Sequence, residues 1–171
     1  MTYKTEALNQ IAQFEAHYQY DSAYMRDLLE HSPDGFAKFN NFLPLARHHE
    51  KLDNNDYWVA KLAAMQAADC GECLQLNVRM ALEAGISKEL IQAALQGGDA
   101  LPADLLDVYH YAKSVATNIP IQEDLRDRIE ARFDKGELLE FALAIATTAV
   151  FPGIKRALGL AKACSLVEIE V

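Results

Sequence analysis

The chain has no block of consecutive basic residues, no apolar segment at its N-terminus, no long unbroken hydrophobic run and only three cysteines. Each shortage removes a class of function. With 25 acidic against 16 basic side chains the formal charge is -9. Nothing therefore supplies the basic footprint that phosphate backbones or anionic lipid demand, and neither nucleic acid nor a membrane surface is an expected partner. The opening residues Met1-Thr2-Tyr3-Lys4-Thr5-Glu6 are polar and do not indicate secretion. The longest mostly apolar stretch, Phe141 to Phe151, is too short to span a bilayer and carries Thr147 and Thr148. Three cysteines are too few, and odd in number, for a disulfide scaffold, so a reducing cytoplasm is the expected compartment. Strand formers are scarce too. Valine, isoleucine and threonine number 21 against 49 for alanine and leucine, a bias that favours helices.

What is present, 171 residues that are 51% hydrophobic and 24% charged, describes one soluble globular domain over residues 1–171, all-α in class. Leu8, Ile11, Glu15 and Tyr18 share a face of a first helix from about Thr5 to Tyr18. Asp21 and Ser22 cap a second that stops before Pro33. Ser32-Pro33 opens a third through Phe36, Phe39 and Leu43, which Pro44 is expected to interrupt. A helix from Asp53-Asn54-Asn55-Asp56 runs to about Ala68, and its continuation after Asp69 ends at Ala84-Gly85. Ser87 to Gln96, Pro102 to Thr117 and Gln122 to Phe133 follow. Glu137 to Val150 is apolar nearly all round beyond Glu140, which predicts burial in the core or against a partner subunit. Pro152-Gly153 is expected to separate it from a last helix ending near Ser165. The tail Val167-Glu168-Ile169-Glu170-Val171 alternates like a strand.

The most informative words are Asp69-Cys70-Gly71-Glu72-Cys73-Leu74-Gln75-Leu76-Asn77. Two cysteines three apart at a helix start place their Cα atoms roughly 5 to 6 Å apart, within reach of a disulfide. Free amide groups and the helix dipole favour thiolate there, while Asp69 and Glu72 oppose it. Three readings are open: a zinc site, which lacks further close ligands; two buried packing residues; and a redox couple. The glycine between the cysteines, costly in a plain packing helix, favours the redox reading.

An all-α chain of this length, with Cys-x-x-Cys opening a helix that ends Met80-Ala81-Leu82-Glu83-Ala84-Gly85-Ile86 before a second capped helix with Leu90-Ile91-Gln92-Ala93-Ala94-Leu95, resembles the AhpD-like or carboxymuconolactone decarboxylase-like superfamily. The resemblance covers about residues 54–97. It implies a multi-helical bundle that assembles into trimers or hexamers, with two cysteines that reduce peroxides or exchange disulfides at the expense of a thiol reductant. In the peroxidase branch Cys73 would attack peroxide and Cys70 would resolve it. That branch also implies a relay histidine four residues after the second cysteine and a glutamate about twelve before the first, and here those positions are Asn77 and Trp58. Asn77 shares the cysteine face and can position a thiolate without acting as a base. Glu72 is the nearest residue able to take a proton, with an ordinary role as a first-turn acid. Asp69 is an expected N-cap. No cofactor or metal is implied.

Elsewhere the signals are weaker. His48 and His49 point about 100° apart on a helix and read as a solvated helix end. His110, between Tyr109 and Tyr111, reads as a satisfied or exposed histidine, with a place near a pocket as the alternative. Trp58 reads as core or as a wall above Cys73, Cys164 as packing, and Lys61 and Arg79 as solvent-facing charge, with stabilisation of a thiolate as the alternative if either folds back. Nothing gathers histidine or arginine for a dicarboxylate. The functions in play are a thiol-based peroxidase or disulfide reductase, a non-enzymatic redox-sensing oligomer, and a lactone-directed lyase.

Overall fold

The computed structural model describes residues 2–171, apart from the side chain of Leu166. It contains α1 (Tyr3–Tyr18), α2 (Ala23–His31), α3 (Pro33–Ala46), α4 (Asn54–Ala67), α5 (Gly71–Glu83), α6 (Lys88–Leu95), α7 (Ala103–Ala116), α8 (Glu123–Arg132), α9 (Lys135–Thr148) and α10 (Val150–Ala157), then a 3-10 turn at Cys164–Leu166. No strand occurs among the described residues, so the all-α reading holds.

Local chemistry sets most boundaries. Ser87 accepts from the Leu90 N–H at 3.2 Å and starts α6. Gly85 ends the α5 segment with φ of 84°. Asp134 accepts from the Gly136 and Glu137 N–H groups while Glu137 accepts from the Asp134 N–H, a capping box that the sequence reading passed over.

Three expectations change. Pro44 does not interrupt α3, because only two residues follow it and the Arg47 and His48 N–H groups close the last turn on the Pro44 and Leu45 carbonyls. Pro152-Gly153 does not separate the last two helices. The break lies at Ala149, and Pro152 occupies the first turn of α10, where a missing N–H leaves no gap. Nor does the last helix reach Ser165. Gly159, at φ of 71°, ends it at Ala157, with the Gly159 and Leu160 N–H groups bonded back to the Arg156 and Lys155 carbonyls. The freed tail runs across the start of α5. It forms no strand, and the Gln75 side chain instead bonds both the N–H and the carbonyl of Glu170, at 2.7 and 3.0 Å.

Packing divides into two cores. The larger surrounds α4, every residue of which from Asp56 to Met65 is buried against α5, α6, α7 and α9. The smaller joins α1, α2 and α3 through Ile11, Tyr24, Leu29 and Phe36, and reaches Leu76, Phe151 and Ile154. Helices α9 and α10 form a run, Lys135–Ala157, longer than the Phe141–Phe151 stretch and, by length and composition alone, sufficient to cross a bilayer. Its inner face packs Phe141, Ala144 and Ile145 into the larger core, as a core helix does.

Charge inside this fold is matched. The buried Asp56 carboxylate takes both of its oxygens to Arg132, at 2.7 and 2.8 Å. Glu140, buried on α9, accepts from the backbone N–H groups of Lys51 and Leu52 at 2.8 and 2.9 Å, with His48 at 3.5 Å. It thereby holds the loop between α3 and α4. Burial pushes its acidity down, but the backbone donors outweigh that and hold its pKa below the ordinary value. A depressed folded-state pKa stabilises the fold above the unfolded value and loses that contribution as pH falls. Glu140→Gln is therefore expected to lower stability by about 1–2 kcal/mol at neutral pH. The gap should narrow below about pH 4, as chemical denaturation of both proteins across pH would show.

Candidate active site

Between α4 and α5 the chain turns at Asp69, whose φ of 49° is left-handed. Cys70 rather than Asp69 is the N-cap of α5. The expected cap is instead a clamp, because the Asp69 carboxylate accepts from the Cys164 backbone N–H at 2.8 Å. Cys70 and Cys73 are joined as a disulfide with Cα atoms 5.3 Å apart, as their spacing allows. Both are sealed, at 0% and 1% exposure.

The tail makes the seal. The Gly71 N–H donates to the Lys162 carbonyl at 2.9 Å, so one of the helix-start amides expected to favour a thiolate is already engaged. A Cβ on residue 71 would lie 2.6 Å from the Val167 side chain. Glycine between the cysteines therefore has a packing reason of its own, the close approach of the tail. Cys164 packs against the same core, and burial followed by the nearby Asp69 charge pushes its thiol pKa up, which leaves it protonated near neutrality.

The two cysteines have unlike surroundings. Cys73 lines an apolar cavity of about 360 Å³ at the seam of the two cores, and Cys70 does not. Asn77 lines the same cavity, and its side-chain amide donates to the Cys73 carbonyl at 2.8 Å. Trp58 forms part of the wall, so it is both core and pocket. Its indole Nε1 is buried without a hydrogen-bond partner, a state that costs about 1–3 kcal/mol.

Glu72 faces elsewhere. It lies in a second, smaller cleft, bonded to Lys155 at 2.5 Å and Lys162 at 2.9 Å. Burial raises its pKa, but the two lysines prevail and hold it below the ordinary value. The structure thus brings together Cys70, Cys73 and Asn77 and sets Glu72 apart from the cavity.

Lys61 is the residue that the sequence reading misplaced. It is 6% exposed, not solvent-facing, and lines the cavity with its Nζ donating to the Ala46 carbonyl at 2.9 Å. Burial, with a smaller push from Arg47, brings its pKa down to about 8. The signal was in the sequence: Lys61 is the one charge in Tyr57-Trp58-Val59-Ala60-Lys61-Leu62-Ala63-Ala64-Met65, a run apolar on every helical face. Arg47 and His49 line the same cavity, so basic groups do gather, contrary to expectation. His49 is not a solvated end but stacks on Tyr57 at 3.7 Å, while His48 turns to Glu140. Arg79 is half-buried and caps the end of α1 at the Tyr18 and Gln19 carbonyls. His110 is exposed. Among the described residues no three of histidine, cysteine, aspartate and glutamate stand together as metal ligands.

The seal predicts a rate. A chain ending at Ala163 loses the Cys164, Val167 and Glu170 contacts while keeping Lys162. Its Cys70–Cys73 disulfide should be reduced by a small thiol at least about tenfold faster than in the full chain, measured by free-thiol titration against time. Equal rates would show that the tail does not limit access.

No curated protein and no solved structure matches the chain significantly. Residues 33–104, from the start of α3 through α6 to the first turn of α7, match the model of the carboxymuconolactone decarboxylase family, and that stretch contains both close cysteines.

Proposed function

We propose that the protein is a thiol-dependent peroxidase or disulfide reductase that works through the Cys70/Cys73 couple. The supporting observation is an asymmetry: of two bonded cysteines, only Cys73 faces the cavity. A molecule in the cavity meets Cys73 first, the cysteine for which the superfamily resemblance implies attack.

In the reduced protein the Cys73 thiol gives up its proton and the thiolate attacks the outer oxygen of a hydroperoxide. The O–O bond breaks, leaving a sulfenic acid on Cys73 and an alkoxide that takes a proton and departs as the alcohol. The Cys70 thiolate then attacks the Cys73 sulfur, water leaves and the disulfide forms. A dithiol reductant reopens it by exchange. One hydroperoxide and one dithiol become one alcohol, one water and one disulfide. Neither Asn77 nor Trp58, at the relay positions, can carry a proton near neutrality, and Glu72 is tied to two lysines. Lys61, brought near neutral range within the cavity, supplies the positive charge that favours the thiolate.

With a dithiol as reductant, wild type should consume hydroperoxide catalytically, Cys73→Ser should not, and Cys70→Ser should stop after one turnover with a trappable sulfenic acid. Stopped-flow peroxide consumption and mass spectrometry of the trapped species read both. Equal consumption by wild type and Cys73→Ser would overturn the peroxidase reading and leave a redox-sensing role, for which a buried, tail-sealed disulfide is also suited.

The same proposal includes a homo-oligomer, a trimer or hexamer by resemblance. The outer face of α9 and α10 presents Leu139, Ala142, Ala146, Ala149 and Gly153, exposed and spaced by three and four residues. Small apolar residues at that spacing allow close helix approach. Ala146→Glu should convert the assembly to monomer in light scattering, with circular dichroism unchanged.

A further inference from the structure

The cavity has a charge pattern at odds with the rest of the molecule. The protein carries a formal charge of -9, yet no aspartate or glutamate lines this cavity, whereas Lys61, Arg47 and His49 all do. Lys61 is buried without a carboxylate partner: its hydrogen bond goes to the Ala46 carbonyl at 2.9 Å, and its ammonium stands 5.2 Å from the centre of the Tyr57 ring. An ammonium has three donors, so two remain to be placed. Elsewhere in this fold buried charges are matched, Asp56 by Arg132 and Lys155 by Glu72. Buried cations are held by pairing, and the partner of Lys61 is missing from the protein itself.

A second observation points the same way. Trp58 Nε1 is a buried donor with no acceptor, on the wall of the same cavity. Three basic side chains and an orphan N–H all offer hydrogen bonds to an oxygen-bearing anion. Apart from the amides Gln10, Asn40 and Asn77, the rest of the lining is apolar and aromatic, with Ile11, Phe14, Met25, Phe36 and Leu76 along the seam. A volume of about 360 Å³ falls within the size of small-molecule sites.

We infer that the cavity binds an amphiphilic monoanion, an unbranched apolar chain that ends in a carboxylate, with the carboxylate held by Lys61 and Arg47 and the chain lying along the seam between the two cores. Arg47, exposed at the end of α3, marks the side of the cavity nearest water. The inference deepens the reading of the cavity as the substrate site: on that reading the peroxide reduced at Cys73 is the hydroperoxide of such an acid. Binding alone, however, does not require turnover.

The test uses the full chain in its disulfide-bonded state, where no thiolate competes for the cations, so that its outcome is separate from that of the peroxidase assay. Decanoate, decanol and acetate are titrated by calorimetry and by the fluorescence of Trp58, the sole tryptophan and itself part of the wall. Decanoate should bind at least about tenfold more tightly than decanol and shift the Trp58 emission, and acetate should not bind measurably. Lys61→Met should abolish the preference for decanoate over decanol. Arg47→Gln, at an exposed position with no folding burden, should weaken it and keeps the test decisive if Lys61→Met does not fold by circular dichroism.

The inference is overturned by decanol binding as tightly as decanoate, by acetate matching decanoate, or by no heat of decanoate binding. It is equally overturned by calorimetric binding that leaves the Trp58 emission unmoved, or by a preference that survives in Arg47→Gln and in any folded Lys61→Met.

Discussion

Everything near the cysteines depends on α4 being buried on every side. A helix enclosed by α5, α6, α7 and α9 has no solvent face onto which a polar group can be turned. Its three ionisable or polar outliers must therefore be satisfied from within. Asp56 finds Arg132 from α8, and the Tyr57 hydroxyl finds the Ala46 carbonyl. Lys61 shares that carbonyl, stands over the Tyr57 ring and lines the cavity at the seam with α1, α2 and α3. The cavity is thus no packing accident at the edge of the fold. It is where the central helix meets a second core with its own apolar surface, and it contains the polar atoms that α4 leaves over.

The second core explains why the cavity is closed and oily. Tyr20, Tyr24 and Phe36 belong to that cluster and line the cavity together with Trp58, Lys61 and Cys73 of α4 and α5. The family match reaches from α3 to the start of α7 and so includes the cysteine helix and one wall. The residues contributed by α1 and α2, among them Ile11, Phe14, Tyr24 and Met25, lie outside that match.

Much of this was legible from residue order. Ser87, Gly85 and Ser32-Pro33 mark helix ends with side-chain and backbone chemistry that acts locally, and those ends stand where they were expected. The Cys70–Cys73 spacing likewise fixed their reach before any fold was known. What was not legible depends on distant chain. Gly71 looked redox-specific until Val167, almost a hundred residues on, was found against it. Lys61 looked solvent-facing because a lysine usually is, and only the enclosure of α4 by four other helices makes it otherwise. Proline misled at Pro152 because its place in the first turn of a helix, which pattern alone does not give, makes the missing N–H immaterial, and at Pro44 because the helix ends only two residues on.

The disulfide divides two environments, and that division constrains any chemistry it performs. On the Cys73 side stand a mostly apolar cavity and the unpaired Trp58 donor, a setting with room for a small molecule. On the Cys70 side stands the tail, held by hydrogen bonds to Asp69, Gly71 and Gln75 and by the contact of Val167. Ala161, Cys164, Ile169 and Val171 also pack against the larger core, so the tail is held by apolar contact as well as by hydrogen bonds. On the proposed chemistry the two sulfurs therefore have different neighbours: a molecule in the cavity reaches Cys73, while the tail stands over the start of α5 beside Cys70, and the buried α4 supports both sides.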